Sequence, residues 1–212
     1  RMRVILKKCG KKYLHKWIFR HLSQDFQQGG SYVINGSNGS GKSTLIKILS
    51  ASLRPSEGAV IWENKGKQID PGEVFRQLSV SAPWIELTED LTLRELIAFH
   101  GKFKSFHTGF DNEEVARISG LEEHLDKYVK HFSSGMKQRT SLSLTMASEG
   151  RLVLLDEPCT GLDKEARQWY LEMIRKFKRD KTVIIASNSN KDEYTPDFTQ
   201  LNINEMQKAN NK

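Results

Sequence analysis

The sequence predicts an α/β fold, a mostly parallel sheet entered through antiparallel strands and interrupted by a block of helices. Three observations lead there. The octet Gly36-Ser37-Asn38-Gly39-Ser40-Gly41-Lys42-Ser43 stands between the apolar run Tyr32-Val33-Ile34 and the helix-like Thr44-Leu45-Ile46-Lys47-Ile48-Leu49. Apolar runs short enough for buried strands, Leu152-Val153-Leu154-Leu155 and Val183-Ile184-Ile185-Ala186, return late in the chain. From about 83 to 150 the apolar residues keep helical spacing with no strand-like run between them. A chain of 212 residues suits one such domain with an embedded subdomain. The expected division is a core over 1–82, a helical insertion over 83–150 and the second part of the core over 151–212.

Taken in order, Val4-Ile5-Leu6 and Trp17-Ile18-Phe19 read as antiparallel strands, with a polar turn at Gly10-Lys11-Lys12 between them and a second turn at Gly29-Gly30. After the glycine-rich octet and its helix, Arg54-Pro55-Ser56-Glu57-Gly58 breaks the chain. Ala59-Val60-Ile61-Trp62 and Leu78-Ser79-Val80-Ser81 then read as strands, and Pro83 ends the second. Helical spacing follows at Leu91, Leu93, Leu96, Ile97 and Phe99, then over 111–118, 121–128 and 140–148. The strand 151–155, a helix over 163–178 and the strand 182–186 restore the α/β alternation. The tail from Asn202 is polar enough to be expected to fray.

The net charge of +7 is concentrated early, because Arg1, Arg3, Lys7, Lys8, Lys11, Lys12, Lys16 and Arg20 all precede the first acid, Asp25. Such a face suits phosphates, nucleic acid or an anionic membrane surface, and equally a strand edge kept basic to prevent pairing. Nucleic acid is disfavoured by the lack of stacking-aromatic, helix-turn-helix and zinc-finger patterns. Cys9 and Cys159 form no CxxC pair and the six histidines no metal-ligand spacing, which indicates neither a disulfide framework nor a zinc site. The apolar runs are too short to span a bilayer and no charged-then-apolar leader precedes them, so a cytoplasmic protein is expected.

The octet matches GxxxxGK[ST] without a gap. Gly36, Gly39 and Gly41 let the loop wrap, with Ser37, Asn38 and Ser40 between them, so that backbone N–H groups form an anion nest at the positive end of the next helix. A triphosphate fits there, with Lys42 reaching its β and γ phosphates and Ser43 ligating the bridging Mg²⁺. Thr44 continues the helix at the loop's end. The run 152–155 ends in Asp156-Glu157-Pro158, and in a P-loop NTPase core such a strand lies beside the loop. Asp156 would then hold Mg²⁺ and Glu157 would polarise the attacking water. Ahead of it, Phe132-Ser133-Ser134-Gly135-Met136-Lys137-Gln138-Arg139 opens a helix, with the Ser133 hydroxyl and Gly135 N–H as donors to an anion.

In this order the motifs resemble the nucleotide-binding domain of ATP-binding cassette (ABC) proteins, and the resemblance covers nearly the whole chain. It implies a P-loop NTPase core with an N-terminal antiparallel subdomain and an inserted helical one. It also implies head-to-tail pairing, in which Ser133 and Gly135 of one copy close on the γ-phosphate of ATP held by another, and Gly161-Leu162-Asp163 crosses the dimer. Tyr13 matches the aromatic that stacks on adenine, and a sheet-edge tyrosine is the plainer alternative. Two positions depart from the family. Pro83 falls where the family carries a glutamine, leaving Glu86 or Ser81 as substitutes, and Asn188 stands where it carries a histidine; an amide can donate to the γ-phosphate but takes neither proton nor charge. Phe132, Ser134 and Met136 loosen the LSGGQ-type signature.

The resemblance implies an ATP-hydrolysing subunit that dimerises on ATP, as a homodimer or with a paired ATPase subunit, and drives a separate membrane permease from the inner face of the cell membrane. Trp84 would be an anchor near that permease or a core residue. The alternative is a nucleotide-switched binding module with slow or absent hydrolysis.

Overall fold

The computed structural model describes residues 2–208, so Arg1 and the last four residues of the predicted fraying tail lie outside it. Two sheets share one apolar core. The first is antiparallel, in the order β2 (Lys16–Phe26), β1 (Met2–Tyr13), β4 (Glu57–Asn64), β5 (Lys67–Ile69). Along β1, Met2, Val4 and Leu6 are buried and Arg3 and Ile5 less so, the period of two expected of a strand with one face on a core.

The hairpin reversal is not at Gly10-Lys11-Lys12 as the sequence suggests. Strand β1 runs through that triplet with register shifts and turns at Leu14-His15, where Leu14 has a φ of 53°. Gly10 is a point of close approach: a Cβ there would lie 2.4 Å from the Glu57 carboxylate. Part of the early basic charge is also spent within this sheet. Arg3 pairs with Asp25 and Glu63, and Arg20 with Glu57, and the Arg3 guanidinium holds the Asp25 carboxyl below its usual range.

The second sheet is wholly parallel, in the order β6 (Leu78–Ser81), β7 (Leu152–Asp156), β8 (Thr182–Ser187), β3 (Ser31–Asn35), β9 (Thr199–Asn202). Strands β7 and β8 are buried at every residue, which is why they read as unbroken apolar runs. Asn35 pairs with Ser187 and Asp156 with Ala186. The chain therefore leaves β3, β7 and β8 side by side at Gly36, Glu157 and Asn188. Helices α1 (Lys42–Leu49) and α5 (Lys164–Phe177) follow β3 and β7.

Between β6 and β7 come α2 (Leu93–Phe103), α3 (Asn112–Ser119) and α4 (Ser134–Ala147). A full capping box between Thr92 and Glu95 starts α2, and the Asp111 carboxylate caps α3. The helix expected over 121–128 is only a 3₁₀ turn at Glu122–His124: Leu121 and Leu125 pack on the helices while Glu122 and Glu123 face water. Helix α4 joins two further apolar clusters: Leu144 and Ala147 pack with α2 and α3, while Leu142 and Met146 pack with residues of β7, β8 and α5. Its C-terminal carbonyls are held by the buried Lys181 ammonium, which donates to Met146 O at 2.9 Å and Ser148 O at 2.6 Å. That burial lowers the Lys181 pKa to about 8.

The tail does not fray at Asn202. It completes β9 and turns into α6 (Ile203–Lys208), whose Ile203 and Met206 enter the main core. Ile203 also lies against the glycine-rich loop, 2.7 Å from where a Gly36 Cβ would be.

Candidate functional site

The glycine-rich loop holds its shape through backbone conformations that favour glycine, with φ of 79° at Gly39 and 99° at Gly41. A Cβ on Gly39 would meet nothing within 4 Å, so this glycine faces open space; one on Gly41 would strike Ile18 at 2.7 Å and Phe19 at 2.9 Å. The loop is thus wedged against β2 on one side and open on the other. Gly41 caps α1 with no side-chain acceptor, so the first-turn N–H groups of α1 have no side-chain cap. A 320 Å³ cleft begins there, lined by Ile18, Asn38, Gly39, Gly41, Lys42, Ser43, Thr44 and Glu157.

Lys42 is nearly buried and makes three hydrogen bonds, to Gly36 O at 2.8 Å, Ser37 O at 3.1 Å and Asn188 Oδ1 at 2.5 Å. The Asn188 amide then donates from Nδ2 to Glu157 Oε1 at 2.7 Å. A neutral amide suits this bridge because it accepts from an ammonium and donates to a carboxylate at once. Burial lowers the Lys42 pKa, against the opposing pull of Glu157, Asp156 and Glu193. Glu157 itself has a φ of 47°, a left-handed conformation costly for a residue with a Cβ. That turn takes its side chain off the line of β7 and into the cleft.

Asp156 is almost wholly buried, and neither of its carboxylate oxygens has a hydrogen-bond partner. Burial raises its pKa, while the Ser43 hydroxyl and the Trp84 indole lie near enough to counter part of that rise without reaching hydrogen-bond geometry. Two orphaned oxygens beside a hydroxyl suit a hard divalent cation, which takes oxygen ligands.

Ser133 and Gly135 are not in this cleft. They form the N-terminus of α4, where Ser133 Oγ accepts from Met136 N at 3.2 Å and the Gly135 Cα side faces Gly161 O of the same chain. Gln138 donates to Pro158 O at 2.8 Å, tying this end to the segment after Glu157. Tyr13 is also outside the cleft lining. It stands half exposed at the hairpin end with the Lys11 ammonium 5.4 Å from its ring centre, and Ile18 is the residue of that hairpin which borders the cleft. Pro83 is exposed, and so is Glu86; Ser81 is buried and its hydroxyl is engaged with Ser141 at 2.8 Å. Ser81 is therefore not a free substitute for the missing glutamine.

Three nearby residues have placements that sequence reasoning misses. Ile18 is one, and its only signal is the lack of a Cβ on Gly41 opposite it. Glu193 is another, buried behind β8 with Oε2 unpartnered, and pushed up to about 7 by that burial. Nothing in Asn190-Lys191-Asp192-Glu193 distinguishes it from a surface acid. The third is the Trp84 indole, whose neighbourhood with Asp156 is created by the parallel pairing of β6 with β7.

The fold has counterparts among known proteins. A family model described as ABC transporter matches residues 19–160, from β2 past the acidic strand. ATP-binding cassette sub-family A member 7 of Mus musculus is 28% identical over 170 residues, covering 79% of this chain and 8% of the relative. The chain spans 7% of the length of one such curated relative and 20% of another. A putative ABC transporter ATP-binding protein from Pyrococcus furiosus superposes with a TM-score of 0.79 at 19% identity, covering 96% of this chain and 98% of its own. A bacterial ABC transporter cassette solved as a dimer superposes with a TM-score of 0.77 at 19% identity, over 94% of each chain. The chain belongs to the ABC transporter family, as an ATP-binding cassette domain.

Proposed function

We propose that this domain binds Mg·ATP in the cleft at Gly36–Ser43, pairs with a second cassette when ATP is bound, and drives a membrane permease from the inner face of the cell membrane. The observation that carries this reading is the convergence of Lys42, Asn188, Glu157 and the unpartnered Asp156 carboxylate at the C-terminal ends of the inner strands of the parallel sheet. The division into a core over 1–82 and 151–212 and an insertion over 83–150 belongs to the same proposal, since the insertion is what carries Ser133 and Gly135 to a second copy. The permease stands as the partner whether or not it shares a polypeptide with the cassette, because the relatives are far longer than this chain.

The roles follow from the donors and acceptors present. The loop N–H groups and the open end of α1 take the phosphates, and Lys42 exchanges Asn188 Oδ1 for phosphate oxygen. Ser43 and Asp156 hold Mg²⁺, which when bound neutralises charge on the β and γ phosphates. Glu157 accepts hydrogen bonding and a proton from the attacking water through the oxygen that Asn188 leaves free. Asn188, once Lys42 turns away, presents its amide to the γ-phosphate and keeps Glu157 oriented. The amide cannot become charged as an imidazole can, and the loss of one stabilising contact of that kind costs on the order of 10²–10³ in rate.

Light scattering on the purified protein tests the reading. Glu157→Gln should form an ATP-dependent dimer that disperses on ATP removal. A strictly monomeric Glu157→Gln variant at saturating ATP would refute it. The second reading, a nucleotide switch that hydrolyses little, rests on the Lys42–Asn188–Glu157 bridge, which occupies the general base. It predicts that Asn188→His raises turnover, whereas brisk wild-type hydrolysis would exclude it.

A further inference from the structure

The phosphate loop leaves the parallel sheet at the C-terminal end of β3, and another cleft, of 540 Å³, lies at the sheet's other end, where β6 and β7 begin at the paired Leu78 and Leu152. Its frame is tightly tied. Arg151 N and Leu152 N both donate to Gln77 O, and Glu149 N donates to Ser105 O, which joins the start of β6, the loop 148–151 and the exit of α2. The charge lining this frame is one-sided: Arg76, Lys102, Lys104 and Arg151 face a single acid, Glu149. Of these cations only Arg76 has an ion pair among the described residues, with Glu73 at 3.0 Å. Lys104 is the most enclosed, and its ammonium donates to Phe75 O at 2.6 Å and to Leu78 O, which leaves a third proton and no carboxylate in ion-pair contact. Burial lowers its pKa with no opposing charge to restore it. Beneath the loop, the buried Lys181 ammonium reaches Ser148 O at 2.6 Å, a further positive charge at the same corner. The Ser79 hydroxyl is buried there without a hydrogen-bond partner, 2.5 Å from where a Gly150 Cβ would stand. Two exposed rings, Phe75 and Phe103, complete the lining.

We propose that this cleft is a second anion site, which binds a phosphate monoester through Lys104, Lys102 and Arg151. Lys104 supplies an ammonium already fixed in place, while Lys102 from α2 and Arg151 from the start of β7 close on the phosphate oxygens. A guanidinium fork and ammonium groups suit such oxygens. A phosphate monoester carries about two negative charges at neutral pH and three acceptor oxygens, which answers three uncompensated cations better than a carboxylate does. Phe75 and Phe103 offer apolar surface to the group that the phosphate esterifies. A soluble phosphate ester and the headgroup of phosphatidic acid share this chemistry. No residue of this cleft belongs to the phosphate loop, so the inference is independent of the ATP-binding reading.

The test is a titration of the full chain with glycerol 3-phosphate, following the backbone amides of Ser105 and Gly150 in a ¹H–¹⁵N spectrum, first alone and then with Mg·ADP present. Both signals should move along one saturable curve that Mg·ADP leaves unchanged. The double variant Lys102→Gln/Arg151→Gln spares the Lys104 contacts that hold the start of β6, and it should weaken binding on the order of 100-fold, about tenfold for each hydrogen bond to a charged group. Lys42→Ala should not alter the curve. Unmoved signals, a double variant that binds like the wild type, or a curve abolished by Mg·ADP or by Lys42→Ala would each overturn the proposal. Sedimentation with phosphatidylcholine vesicles containing phosphatidic acid then separates the two sources. Vesicle binding lost in the double variant assigns the site to a lipid headgroup, whereas equal sedimentation of both proteins, with the glycerol 3-phosphate difference intact, assigns it to a soluble ester.

Discussion

Two helix N-termini in this molecule are built from similar residues and left in different states. Helix α1 begins at Gly41 with no side-chain acceptor, in front of an open cleft, with Lys42 and Glu157 already joined through Asn188. Helix α4 begins at Ser133, whose hydroxyl is occupied by Met136 N, on an exposed corner with no acid or lysine of the cleft beside it. The first end has no side-chain cap and is surrounded by the groups that would act on a phosphate. The second is complete as a cap, so whatever it does to a phosphate is done for a ligand brought from outside. That asymmetry is the physical content of half a site.

The comparison predicts unequal effects. Lys42→Ala removes the ammonium from the phosphate cleft and should lower nucleotide affinity by about 100-fold or more, measured by calorimetry, since charge-assisted contacts to a phosphate are the strong ones. It should leave the thermal stability of the α4 end unchanged, and an equal loss from altering Ser133 would break the distinction.

A smaller effect concerns Glu193, which lies behind the cleft among Lys42, Asp156, Glu157 and Cys159. Burial raises its pKa from 4.5 to about 7. Between those values the folded state keeps a proton that the unfolded chain has released, so this group's stabilisation is complete below about 4.5 and is lost as the pH rises through 7. Denaturant unfolding from pH 5 to 8 should show a decline on the order of 1–3 kcal/mol from this source. Glu193→Gln should flatten it, and an unchanged slope would show that the carboxyl is not the group responsible.

Smallest is Ser133→Ala, which removes the α4 cap and should cost about 1 kcal/mol of stability. Nucleotide affinity of the single chain should stay within twofold of wild type, by the distance of Ser133 from the cleft lining.

The difference between the two ends also explains what could be read from the sequence. Phosphate chemistry demands glycines at set offsets with lysine and serine after them, so 36–43 is legible as it stands. The buried strand 152–155 ending in two acids is equally plain. Gly10 misleads because a glycine required for close approach to Glu57 looks the same as a turn glycine. Two apolar residues in a polar tail, Ile203 and Met206, are too few to announce a helix, yet the main core buries both. Glu193 is invisible for a stronger reason, since burial, and not local pattern, puts it behind the cleft. Ser133 and Gly135 read clearly as a helix start, and it is the family resemblance that turns them toward a second copy.

The most direct measurement of the central claim mixes two variants, Lys42→Ala and Gly135→Asp, each in purified form, and follows phosphate release from ATP. A site shared between chains predicts that neither variant turns over alone and that mixing restores hydrolysis, because one of the two sites in each mixed dimer then joins an intact phosphate loop to an intact α4 end. A mixture as inactive as its parts, or a Gly135→Asp variant that hydrolyses ATP unaided, would contradict it.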